Sequence, residues 1–106
     1  MKLLIVTCLD ADRHTVSKLL QSVGINIFSV SETTGYKRNN GQPNLLDNWF
    51  GNHNTEFASA LFFCFTDDLN AKNAVEALDR RNADQPERMP LHAFVMPVEN
   101  QTEVSR

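Results

Sequence analysis

The residues best suited to chemistry in this chain are cations framed by glycine. From Gly24 to Gly41 it reads GINIFSVSETTGYKRNNG, and Gly35 and Gly41 bracket the tract Tyr36-Lys37-Arg38. Adjacent cations on freely turning backbone suit a small anion, a phosphate or a carboxylate, because charge-assisted hydrogen bonds are the strong ones. Arg88 is the one basic residue of the polar segment 82–90 and is the candidate to join them. His14, His53 and His92 are widely separated, and none has the i, i+4 spacing of a helical metal site. His53, beside Asn52 and Asn54 and near Asp47 and Glu56, is the candidate metal ligand. No serine or cysteine stands with a local base and orienting partner, so no catalytic residue is assigned. The pattern points to a binding protein and not an enzyme.

The elements that must position these residues follow from periodicity. Lys2 to Leu9 is a compact apolar run, a buried strand. Asp10 is placed to cap a helix whose stripe is Val16, Leu19, Leu20 and Val23, and Gly24 supplies its stop. A second strand is expected from Ile25 to about Thr34. After a loop over 35–55, Phe57 to Thr66 is the third strand. Asp67 or Asp68 caps a second helix with Ala71, Ala74, Val75 and Leu78 as its inner stripe. The segment 80–90 is polar with two prolines, Leu91 to Val98 is the fourth strand, and 99–106 is a polar tail. The order βαββαβ predicts an α+β, ferredoxin-like domain spanning 1–106. Its four-stranded sheet is antiparallel, with two helices on one face and a long loop between strands 2 and 3.

Bulk properties narrow the class. One hundred and six residues suit one domain with a real core. A net charge of −3 and a pI near 5.5 argue against a nucleic-acid partner. Cys8 and Cys64 both lie in apolar runs, which reads as buried reduced thiols in a cytoplasmic protein. The start MKLLIVTCLD is too short for a signal peptide, and no stretch approaches a membrane span.

The third strand is apolar on both sides. Phe57, Leu61, Phe63 and Phe65 alternate with Ala58, Ala60, Phe62 and Cys64. A sheet covered by helices on one face alone would show clean apolar–polar alternation. The second face therefore needs a cover, for which self-association is the economical one and a tail or loop folded across the sheet is the alternative. In the loop, Leu45, Leu46, Trp49 and Phe50 share one side of a short predicted helix, with Pro43 at its start and Gly51 past its end. These four are candidate partner anchors. A helix so short is marginal alone, which predicts a mobile loop that orders on docking.

With these residues in view, the chain resembles the PII nitrogen-regulatory signalling proteins. The resemblance rests on the element order, on Gly24 after the first helix, and on Glu32-x-x-Gly35-Tyr36-x-Arg38-x-x-Gly41. It runs on to Asp67-Asp68 at the second helix. It implies a homotrimer with sheets facing inward and a small anionic ligand, with ATP, ADP or AMP as candidates, in clefts between subunits. It also implies a T-loop that regulates a partner, a membrane transporter among the candidates. Gly35, Tyr36, Lys37 and Arg38, with Arg88 of a neighbouring subunit, would then hold the ligand.

The chain also departs from that family. The glycine-rich phosphate segment ending in lysine is here Asn82 to Pro90, with no glycine and two prolines that lack N–H donors. The basic residues expected after the last strand have no counterpart in 99–103, and the loop has no tyrosine beyond Tyr36. The alternative is a metal-responsive trimer like the CutA proteins, or an accessory of a metal efflux system. It would use His53, Asp47 and Glu56, with Cys8 or Cys64 if exposed.

Overall fold

The computed structural model describes residues 1–38 and 54–103. Strand β1, Lys2–Leu9, leads through a 3-10 turn, Asp10–Asp12, into helix α1, Arg13–Ser22. Strands β2, Ser29–Arg38, and β3, Asn54–Thr66, are followed by α2, Asp68–Asp84, and β4, His92–Pro97. The sheet order is β2-β3-β1-β4, and every neighbouring pair is antiparallel. This is the ferredoxin-like α+β fold that the element order predicts.

Two residues set the helix ends. Gly24 adopts φ 90°, the left-handed conformation open to glycine. The Ile25 N–H reaches the Leu20 carbonyl at 3.0 Å and the Gly24 N–H reaches the Gln21 carbonyl at 3.1 Å, so α1 closes in a Schellman motif. At the start of α2, the Asp67 carboxylate accepts the Asn70 N–H at 2.7 Å. Asp10 does not cap α1. It opens the 3-10 turn, and Asp12 takes the N-cap position without a side-chain capping bond.

The core lies between the helices and one face of the sheet. Leu4, Val6 and Cys8 of β1 alternate into it, with Ala60, Phe62 and Cys64 of β3. Val16 and Leu20 of α1 and Ala71, Ala74 and Leu78 of α2 close it from above. Phe28 packs its ring on Phe62 with centroids 5.7 Å apart.

Several boundaries differ from the expectation, among them β4, which spans His92–Pro97 and not Leu91 to Val98. β2 begins at Ser29 and not Ile25: Ile25 is buried in the core, and the lead-in 25–28 does not join the ladder. β2 and β3 then run on as a ribbon, with the register Thr34↔Ala58 to Arg38↔Asn54 beyond the last β1–β3 pair, Leu9↔Ser59. Gly35 to Arg38 are therefore strand residues and not loop. Apolar alternation ends where burial ends, so periodicity could not follow a ribbon that leaves the core. Finally, α2 continues to Asp84, because Arg81 extends its inner face one turn past Leu78.

Candidate functional site

The 3-10 turn after β1 is a junction between the ribbon and the segment that joins α2 to β4. Arg13 donates to Asp10 at 2.8 Å and to Glu32 at 3.3 Å, tying the turn to β2. Asp12, 2% exposed, is held by a different pair of guanidinium groups. Arg88 donates to its Oδ1, and Arg81 brings Nη2 to 3.3 Å from its Oδ2. Arg81 is itself 7% exposed. A carboxylate and a guanidinium so deep in the protein persist because they are paired.

The segment 85–91 is stapled by side chains. Asn82 pairs with the backbone of Leu91 like a strand residue: Nδ2 donates to the Leu91 carbonyl and Oδ1 accepts the Leu91 N–H, both at 2.9 Å. Arg81 Nη1 donates to the Met89 carbonyl at 3.2 Å. A glycine-rich phosphate cradle works through backbone N–H groups. Here the segment instead presents one partly exposed guanidinium, that of Arg88.

The expected ligand residues are distributed as follows. Gly35, Tyr36, Lys37 and Arg38 are consecutive in the outer half of β2. Tyr36 and Lys37 are exposed. At Gly35 the reason for glycine is packing: a Cβ there would overlap the ring of Phe57 across the strand pair. Among the described residues, no hydrogen bond or ion pair joins Lys37 to Arg88. A groove beside the turn and the ribbon is lined by Asp10, Glu32 and Glu56, with Thr33, Thr34 and Ser59. Leu45, Leu46, Trp49, Phe50 and His53 lie outside the described residues.

Among the described residues, none covers the opposite face of the sheet. β1 presents Leu3 and Ile5 there, opposite Phe65 and Phe63 of β3 and Met96 and Phe94 of β4. Phe65 and Phe94 are 58% and 56% exposed. Such a patch marks an interaction surface.

Burial pushes the Cys8 thiol up to about 11, with the Asp12 and Asp10 carboxylates adding to the effect. Burial raises the Cys64 thiol as well. Neutral buried thiols are poor metal ligands, so the exposure that would recruit them to a metal site is missing. Among the described residues, no three His, Cys, Asp or Glu side chains are grouped to hold a metal ion. Among them, too, no helix is long and apolar enough to cross a membrane.

The sequence reading missed Asp12 and the role of Arg81. A signal was present: Arg81 falls three residues after Leu78 on the apolar stripe of α2, where a cation requires a buried counter-ion.

No protein-family model matches the chain, and no curated protein matches it by sequence. Solved structures do match. The chain is similar to CPII, a nitrogen regulatory PII-like protein from Thiomonas intermedia K12 bound to ADP, AMP and bicarbonate. That match has a TM-score of 0.63 at 12% identity, covering 97% of this chain and 94% of that one. It is also similar to a protein from Thermus thermophilus assigned to PII-like signalling, with a TM-score of 0.59 at 12% identity. There the coverage is 90% of this chain and 83% of the other. The chain thus has the fold of PII-like proteins over nearly its whole length.

Proposed function

We propose that the chain is a non-enzymatic PII-like regulator. It works as a homotrimer that binds a small anion, an adenine nucleotide first among the candidates, in clefts between subunits. The observation that carries this reading is the fold match over 97% of the chain to a PII-like protein bound to ADP, AMP and bicarbonate. An apolar face that no described residue covers supports assembly, and it lies on the side of the sheet away from the helices. The absence of any described contact between Lys37 and Arg88 within one subunit favours a cleft built by two subunits. There Gly35 to Arg38 of one would meet Arg88 of another.

The segment between β2 and β3, with Leu45, Leu46, Trp49 and Phe50, then carries the signal to a partner, for which a cytoplasmic face of a membrane transporter is the candidate. Calorimetry with ATP, ADP, AMP and bicarbonate tests the ligand site. Binding that Arg38→Ala abolishes supports it, and binding that Arg38→Ala leaves unchanged removes the ribbon from the site. Hydrogen exchange over 39–53, with and without a partner, tests the docking role.

A further inference from the structure

We propose that Asp12 is an internal competitor for the ligand: its carboxylate holds Arg88, and an oxyanion binds by taking Arg88 from it. The proposal rests on the reading that Arg88 contributes to an anion site, and it adds a regulation of that site.

Three features of the cluster support a switch of this kind. First, one buried carboxylate faces two guanidinium groups, so the cluster carries one positive charge more than neutrality needs. Second, the two cations are unequal. The Arg81 side chain is 6% exposed and that of Arg88 is 45% exposed, so Arg88 alone can turn to solvent or to a ligand without leaving a buried site. Third, the pair that would remain has unused bonding capacity. Asp12 Oδ2 and Arg81 Nε and Nη2 make no hydrogen bond, although Oδ2 and Nη2 stand within ion-pair distance. When Arg88 leaves, Asp12 keeps a buried counter-charge 3.3 Å away, and a small reorientation of that pair would let Nη2 donate to Oδ2. A buried carboxylate losing its only cation would be strongly disfavoured, and that does not arise here.

The backbone does not need to move. Asn82 and the Arg81–Met89 bond hold the segment, so the change is confined to the Arg88 side chain. The ion pair then sets a threshold, since ligand must outcompete a carboxylate that is always present.

The test measures AMP affinity by calorimetry in wild type, Asp12→Asn, Arg88→Ala and the double variant. Removing the competitor should tighten AMP binding roughly three- to tenfold in Asp12→Asn, and the gain should vanish in the Arg88→Ala background. AMP binding by Asp12→Asn but not by wild type also supports the proposal. Unchanged or weaker binding in Asp12→Asn, with wild-type binding intact, overturns the competitor while leaving the anion site standing. Absence of AMP binding in both overturns the anion site and the competitor with it. Should Asp12→Asn fold poorly, arginine side-chain NMR of the wild type decides. The Arg88 Nε–Hε signal should shift on AMP addition while Arg81 gains protection, and an unmoved Arg88 signal at saturation contradicts the proposal.

Discussion

The two faces of the sheet are nearly equal in composition and opposite in circumstance. Beneath the helices, Leu4, Val6, Ala60, Phe62 and Cys64 are buried. On the other side, Ile5, Leu61, Phe63, Phe65, Phe94 and Met96 form a second apolar surface that no described residue covers. A chain that needed only a monomeric core would place polar residues on the second face, as antiparallel sheets commonly do. One face therefore serves folding, and under the proposed function the other serves assembly, with ligand clefts where subunits meet.

A charge on the open face should have the largest consequence. Phe63→Asp should convert the proposed trimer to a folded monomer, raising the dissociation constant by roughly two orders of magnitude or more, because an unpaired carboxylate would be buried. Light scattering checks this, with circular dichroism confirming the fold. The matching change on the covered face should act oppositely. Phe62→Ala should lower stability by about 3–5 kcal/mol through loss of buried surface and the cavity left behind. Urea denaturation in the Phe63→Asp background isolates that effect from assembly.

A smaller effect tests the open face further out, on the ribbon. Gly35→Ala should cost about 1–3 kcal/mol, since its Cβ would meet the Phe57 ring. Adding Phe57→Ala should recover much of the loss, because the clash needs both side chains. The same urea denaturation reads both variants.

The mildest prediction concerns pH on the covered face. Burial raises the Cys8 thiol to about 11 in the folded chain, against 9.0 for the free thiol. The folded state then holds its proton more tightly than the unfolded one. Its contribution is complete below pH 9 and is lost as pH rises through about 11. Stability should fall across that window, less steeply in Cys8→Ala, as followed by urea midpoints.

Much of this fold can be read from the residues alone. The order of elements, the stripes of both helices, Gly24 as a stop and the two-faced third strand all rest on apolar periodicity, which burial enforces. The two faces of Phe57 to Thr66 are visible as a run without polar alternation. The ribbon is not visible, because residues 34–38 pair with 54–58 through backbone bonds that leave no apolar pattern. Its hidden cue is Gly35 opposite Phe57, a contact that exists only once the strands are in register. The Asp12–Arg81–Arg88 cluster is equally silent, since it joins residues 76 positions apart through charge. Arg81 on the inner stripe of α2 is where a reader could have asked for a buried acid.

Assembly and ligand binding are tested together by measuring AMP affinity and molecular mass in wild type and in Phe63→Asp. Wild type should run at three times the 12.0 kDa of one chain and bind AMP. The folded Phe63→Asp monomer should bind AMP at least roughly tenfold more weakly, because half of each cleft is gone and a factor of ten corresponds to only one good hydrogen bond. A wild type that is monomeric, or a monomeric variant that binds AMP as well as wild type does, would contradict a cleft shared between subunits.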